Sequence, residues 1–187
     1  MRFKEKITFL KRFADSPRKI GSVTPSSKFL TRAMLERVDW DNANYIAELG
    51  AGTGVFTREI VKRARPDAKI LAFEIDPALQ KLIRDEHPEH KGLSLHSDAQ
   101  ELYKYMKDNG IKELDFVISS LPFTVLPPKM TVRILDAILK SLKPGGHFVA
   151  YQYSSIMKHV LKKKFSHIKT RWVAFNIPPA FVYDCWR

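Results

Sequence analysis

Cysteine is nearly missing from this chain: one residue, Cys185, stands among 187. A lone thiol has no partner within the chain, which excludes an internal disulfide and fits a reducing compartment. No apolar run approaches the roughly 20 residues that a helix needs to cross a bilayer. The basic start "MRFKEK" leads into neither an uninterrupted apolar core nor a small-residue cleavage site, so it does not read as a signal peptide. Together these absences predict a cytoplasmic chain that does not span a membrane. Internal repeats and low-complexity tracts are also missing, and no cysteine accompanies His87 and His90 in "EHPEH". That pair reads as solvated loop histidines, and no metal is expected.

Carboxylates are unevenly missing. Residues 137–183 hold eight Lys/Arg and no Asp or Glu, while residues 1–37 hold ten Lys/Arg against Glu5, Asp15 and Glu36. Both ends are basic, the middle is nearly balanced, and the formal net charge is +12. Such a balance selects an anionic partner, either nucleic acid or a membrane surface, without choosing between them. At 187 residues and 44% apolar composition the chain can bury one substantial core.

From residue 45 onward, short apolar runs alternate with helical patterns. "YIAEL" (45–49), "KILAFEI" (69–75), "LSLH" (93–96) and "LDFVIS" (114–119) read as strands. Helices are predicted over 55–64, 77–86, 98–108 and 128–142, the second opening with Asp76-Pro77 as N-cap and first-turn proline. This alternation predicts a parallel sheet with helices on both faces. "KPGG" (143–146) reads as a turn that feeds a fifth strand, "HFVAYQY", and a helix follows over 154–163. "HIKTRWVAFNI" and "AFVYDCW" are separated only by Pro178-Pro179, which leaves no room for a crossover helix and predicts an antiparallel pair.

Two turns carry the chemistry. "ELGAGTG" (48–54) lies between a strand and a helix, where Gly50, Gly52 and Gly54 let the backbone turn tightly and approach a ligand. Glu74, at the end of the second strand, is suited to accept both hydroxyls of an adenosine ribose. The spacing is G-x-G-x-G rather than G-x-G-x-x-G, which argues against a pyrophosphate ligand. "E-x-G-x-G-x-G", "FEID" and "SDAQEL" (97–102) resemble the S-adenosylmethionine-binding motifs of class I methyltransferases. The resemblance implies a seven-stranded, mostly parallel α/β sheet of Rossmann-like type, ending in an antiparallel hairpin. It also implies S-adenosyl-L-methionine as cofactor, held by Glu48, Gly50, Ala51, Gly52, Gly54, Glu74, Ile75, Asp98, Ala99 and Ser119. In that family the glycine turn lies under the methionine and ribose, and an acid at the Asp98 position meets the adenine amine.

The second turn is "SSLPF": Ser119, Ser120, Leu121, Pro122 and Phe123 follow the fourth strand and are the candidate catalytic residues facing the methyl acceptor. In methyltransferases acting on nucleobase amines this turn normally carries Asn or Asp, and here two serines stand instead. A serine hydroxyl accepts one contact at a time, which suits a flexible primary amine better than a planar base. Tyr151, Tyr153, Asn176 and Tyr183 are further candidates for the lining.

The N-terminal segment points the same way. In "MRFKEKITFLKRFA" (1–14), Phe3, Ile7, Leu10 and Ala14 share a helical stripe widened by Phe9 and Phe13, with Lys4, Thr8, Lys11 and Arg12 opposite. Lys6 intrudes on the apolar arc, and at a membrane surface its ammonium reaches the headgroups. Ile20-Gly21-Ser22-Val23 fits neither helix nor strand and reads as a lid. Thr24-Pro25 then opens a helix whose Phe29, Leu30, Ala33 and Met34 face inward. Residues 1–38 are thus taken as a membrane- and substrate-side extension, and residues 39–187 as the cofactor domain.

"IGSVTPSS", "ELGAGTGVFT", "FEIDP", "SSLPF", "LKPGG" and "NIPPAFVY" together resemble the bacterial phospholipid N-methyltransferases, which methylate phosphatidylethanolamine. They resemble the rRNA adenine dimethyltransferases more distantly. The closer resemblance implies transfer of methyl to a phospholipid amine, with an amphipathic N-terminal helix on anionic membrane and peripheral attachment. The alternatives are an rRNA-type N-methyltransferase with nucleic acid as partner and, ranked below it, a cofactor-binding protein without transferase activity.

Overall fold

The computed structural model describes residues 27–187. The amphipathic segment 1–14, the Ile20–Val23 stretch and the Thr24-Pro25 cap lie outside the described residues. The first described helix, α1 (Lys28–Leu35), is capped by Ser27, whose side chain accepts a hydrogen bond from the Leu30 amide at 3.2 Å. Leu30, Ala33 and Met34 are buried as expected, but Phe29 is 58% exposed and meets Phe175 instead at a tilt of 38°, ring centroids 5.3 Å apart.

Seven strands form one sheet: β1 (Tyr45–Leu49), β2 (Lys69–Phe73), β3 (Leu93–His96), β4 (Leu114–Ser119), β5 (Leu142–Gln152), β6 (His167–Val173) and β7 (Ala180–Trp186). Their order is β3-β2-β1-β4-β5-β7-β6. Strands β1 to β5 run parallel, and β7 lies antiparallel to both β5 and β6. This is the mostly parallel seven-stranded sheet with a C-terminal hairpin that the βα alternation and the short Pro178-Pro179 link predict.

Helices α2 (Val55–Arg63), α3 (Pro77–Glu86), α4 (Leu102–Asp108), α5 (Pro128–Ser141) and α6 (Met157–Lys162) connect the strands. Only α3 keeps its predicted bounds; α2 and α5 end one residue early, and α4 and α6 are shorter by more. Residues 99–101 form a 3-10 turn capped by Asp98 before α4 begins, and α6 starts three residues late because 154–156 stay in the loop after β5. Asp76 caps α3 as expected, accepting from the Ala78 amide at 2.8 Å ahead of Pro77, an arrangement that contributes about 1 kcal/mol to helix stability.

"KPGG" belongs to β5 rather than to a separate turn. Leu142 pairs with Leu114 and His147 with Phe116, so the extra residues bulge between the two pairs. A side chain on Gly146 would stand 3.0 Å from the Lys143 carbonyl and 3.1 Å from those of Leu114 and Asp115. Only glycine lets the strand re-enter the ladder so close to its neighbour's backbone.

All six residues of β4 are buried, because the central strand is covered on both faces. Alternate side chains therefore join different cores. Val117 packs with Phe148, Tyr183, Met106 and Ile134 on the face covered by α4, α5 and α6. Phe116 and Ile118 pack with Ile46, Val149, Met34 and Ile60 on the face covered by α1 and α2. The chain runs outward from β1 in one direction through β2 and β3, and in the other through β4 and β5. The loops after β1 and β4 therefore diverge, opening a crevice at the C-terminal edge of the sheet.

Candidate active site

Register brings the two turns together. Leu49, the last residue of β1, pairs with Phe73 on one side and Ser119 on the other. The chain then turns at Gly50, whose amide donates to the Phe73 carbonyl at 2.8 Å, as does that of Ala51 at 3.0 Å. Gly50 adopts φ +81°, and a Cβ there would lie 3.0 Å from Leu121 Cδ2. Glycine is thus required both for the left-handed turn and for the approach of the "SSLPF" loop.

Glu74, the first residue past β2, fixes this turn with its carboxylate. Oε2 accepts from the Gly52 amide at 2.8 Å and Oε1 from the Asp76 amide at 2.9 Å. Each oxygen retains a second lone pair for a ligand hydroxyl. Gln80 Nε2 donates to the Glu74 carbonyl at 2.6 Å and to Ser97 Oγ at 3.1 Å, tying the loops after β2 and β3 together. Asp98 Oδ1 accepts from the Gln100 amide at 3.0 Å.

Glu48 has a different setting. It is fully buried behind the glycine turn, where Thr57 Oγ1 donates to its Oε2 at 2.6 Å. Its Oε1 has no hydrogen-bond partner among the described residues. Burial lifts its carboxyl to about 7; the Thr57 hydrogen bond opposes the rise and the Glu74 charge adds to it.

In the second turn Ser119 is buried, and its hydroxyl accepts from the Leu121 amide at 3.2 Å. The Ser120 amide donates to the Leu49 carbonyl at 2.9 Å. Its hydroxyl oxygen is buried without a partner among the described residues. The Leu121 carbonyl accepts from the Phe123 amide at 2.9 Å and from Gln152 Nε2 at 2.8 Å.

A cleft of about 210 Å³ lies between these turns. Of the residues singled out in the sequence, Gly50, Gly52, Glu74, Ile75, Asp98, Ala99, Ser120, Leu121 and Pro122 line it. Glu48, Ala51, Gly54, Ser119 and Phe123 do not. Phe123 is 3% exposed and meets Phe148 edge-on in the core, centroids 6.2 Å apart, so its ring is not presented to an acceptor. Gly54 is the N-cap of α2, and Ala51 packs on Ile83.

None of the four further candidates lines the cleft either. Tyr183 is fully buried with its hydroxyl on the Ser154 carbonyl, and Asn176 is held between the Ser27 amide and the Pro178 carbonyl. Tyr151 packs against the core shared with Phe56, and Tyr153 is half exposed beyond the end of β5.

The cleft also has walls that the sequence reading missed: Phe73, Asp76, Leu79, Ser97, Gln100, Leu126, Met130 and Ile134. Met130 and Ile134 share a face of α5 at i, i+4 spacing, but that spacing marks only an inward face. Only the helix's position decides that it meets the cleft. The result is an apolar slot edged by three carboxylates, Glu74, Asp76 and Asp98, and by backbone amides, with the Ser120 hydroxyl unpartnered among the described residues. That lining fits S-adenosylmethionine, whose adenine needs an apolar slot, whose ribose diol needs an acceptor, and whose sulfonium tolerates nearby carboxylates.

The family model described as "Methyltransferase domain" matches residues 46–146, spanning β1 to the bulge in β5. The chain belongs to the methyltransferase domain family. This methyltransferase is 29% identical to the ornithine lipid N-methyltransferase of Singulisphaera acidiphila over 97% of its own length and 96% of that relative's. It is 24% identical to the ribosomal RNA small subunit methyltransferase A of Thermotoga petrophila over 65% of its length, but over only 44% of that protein's. Among solved structures, the precorrin-6y methyltransferase of Geobacter metallireducens covers 84% of this chain and is covered to 87%, with 18% identity and a TM-score of 0.66. A T. thermophilus 16S rRNA N2 methyltransferase solved with AdoMet and guanosine gives a TM-score of 0.65 at 24% identity, covering 89% of this chain and covered to 44%. These structural likenesses extend to the fold. The family and the lining of the cleft agree on the chemistry: this is an S-adenosylmethionine-dependent methyltransferase.

Proposed function

We propose that this methyltransferase transfers methyl to the amine of a lipid headgroup, such as that of phosphatidylethanolamine, at the cytoplasmic membrane surface. The observation that carries the reading is the acceptor turn, where the unpartnered Ser120 hydroxyl lines the cleft in place of an amide or acid side chain. The name of the relative matched over nearly the whole chain, a lipid N-methyltransferase, supports the same acceptor class.

S-adenosylmethionine would supply an electrophilic methyl on sulfur: an amine lone pair attacks the methyl carbon in line as the carbon–sulfur bond breaks, the sulfur leaves as a neutral thioether, and the methylated ammonium gives its proton to solvent. Gly50, Gly52, Glu74 and Asp98 hold the cofactor side, with Glu74 turned toward the ribose hydroxyls. Ser120 accepts a hydrogen bond from an N–H of the incoming amine and orients its lone pair, while Leu121 and Pro122 exclude water from the approach. The alternating apolar and basic pattern of residues 1–14 supports a role for that segment in holding the enzyme on anionic lipid.

Radiolabelled S-adenosylmethionine, offered in parallel with phosphatidylethanolamine vesicles, ornithine lipid vesicles and ribosomal RNA, tests the acceptor. Label entering a lipid is the expected result. Label in RNA alone overturns the reading, and deletion of residues 1–14 without loss of vesicle binding overturns the role given to that segment.

A further inference from the structure

Among the described residues, the four most exposed large apolar side chains lie toward one edge of the molecule. Phe175 is 76% exposed, Ile177 73%, Ile156 68% and Phe29 58%. Their position follows from strand direction. β5 ends at the cleft edge with Gln152, which pairs with Phe181 near the start of β7, and Ala180 pairs with Val173 at the end of β6. The β6–β7 loop, 174–179, therefore sits on the same edge as the cleft, as does the loop after β5 that carries Tyr153 and Ile156. Asn176 fastens α1 to this edge by accepting the Ser27 amide at 3.1 Å, which sets Phe29 against Phe175.

The charge of these loops is one-sided, whereas the carboxylates Glu74, Asp76 and Asp98 stand across the cleft from them. The loops 120–127, 153–156 and 174–179 contain no Asp or Glu, and Lys28 and Lys158 stand exposed beside the apolar residues. Exposed Phe and Ile in loops with no carboxylate, bordered by lysine, match the chemistry of a bilayer with anionic headgroups. Apolar tips enter the acyl boundary there while ammonium groups meet phosphate.

We infer that the loop edge bearing Phe175 and Ile177, with Phe29 and Ile156 beside it, docks on an anionic phospholipid bilayer and presents the acceptor side of the cleft to the headgroups. The inference rests on the lipid-amine reading and adds a second docking element, one that fixes orientation where an amphipathic helix alone fixes only proximity.

The test is co-sedimentation of the full chain with phosphatidylcholine vesicles, with and without phosphatidylglycerol, both free of amine lipids. Wild type is expected to pellet with the anionic vesicles. The double variant Phe175→Ser/Ile177→Ser is expected to lose at least about tenfold in partitioning, since two large side chains no longer leave water. Both positions are mostly exposed, so cofactor affinity by calorimetry stays unchanged and reports an intact fold. Tyr103→Ser, an exposed aromatic on α4, is expected to bind vesicles as wild type does.

A double variant that pellets like wild type overturns the inference. So does a wild-type dimer that the substitutions dissociate in ultracentrifugation without altering vesicle binding, or RNA retention that alone depends on these residues. Failure of the lipid-amine reading looks different: anionic vesicles still bind through the edge, but no amine lipid accepts label, even when dispersed in detergent.

Discussion

Gln152 Nε2 donates to the Leu121 carbonyl at 2.8 Å across 31 positions of sequence, joining the last residue of β5 to the turn proposed to face the methyl acceptor. Gln152 is 3% exposed, so this bond is shielded from water and holds the turn in place. Gln152→Leu removes the donor while keeping similar bulk. Losing such a buried bond costs about 1–3 kcal/mol. Because Gln152 does not line the cleft, the loss is expected in kcat/KM for methyl transfer, roughly tenfold or more, with cofactor affinity held within about threefold. Steady-state kinetics beside calorimetry separates the two, and equal losses in both would remove the positioning role.

Glu74 joins the glycine turn to the loop after β2 through the Gly52 and Asp76 amides. Glu74→Ala deletes both bonds together with the acceptor proposed for the ribose. Hydrogen bonds to a charged group contribute about 1.5–3 kcal/mol each, so affinity for S-adenosylmethionine is expected to fall by at least about tenfold in calorimetric titration. Unchanged affinity would take Glu74 out of the site.

Glu48 sets a pH dependence of stability. Burial raises its folded pKa from the ordinary 4.5 to about 7. Between those values the native state keeps a proton that the unfolded chain has released, so this group lowers stability as pH rises through that window. The loss is on the order of 3 kcal/mol by about pH 7 and absent where both states are protonated. Glu48→Gln cannot ionise and still accepts from Thr57. Chemical denaturation is expected to show the variant gaining on wild type between about pH 5 and pH 7.5, and a gap independent of pH would contradict the assignment.

Cys185 is fully buried in β7, and burial, followed by the neighbouring Asp184 charge, pushes its thiol well above the ordinary range. The thiolate is the reactive form. Iodoacetamide is therefore expected to leave the native protein unmodified over hours by mass spectrometry, and to label it once denatured. Rapid labelling under native conditions would show that β7 opens.

How much of this was legible in the sequence differs between the two turns. "ELGAGTG" and "FEIDP" could be read locally, because glycine's backbone freedom and a carboxylate one residue past a strand are properties of adjacent residues. The "SSLPF" turn was legible as a position but not in its orientation. Phe123 is as apolar as Leu121 in the sequence, yet packing sends its ring to Phe148 in the core and leaves Leu121 and Pro122 at the cleft. The expectation that Phe29 faces inward failed for a related reason. Helical periodicity marks a stripe, but which residue at the stripe's margin is covered depends on the neighbour, here Phe175 of a distant loop.

The sequence by itself determined the strand and helix alternation, the direction of the terminal hairpin and the glycine–carboxylate pairing, because each follows from period, chain length and backbone sterics over a few residues. Tertiary structure alone decided that Met130 and Ile134 wall the cleft, that Gln152 holds Leu121, that Glu48 retires behind the site as a raised carboxyl, and that Phe175 and Ile177 share the cleft's edge. These are relations between residues tens of positions apart. They arise from strand order and register, which place groups side by side without any local pattern to mark them.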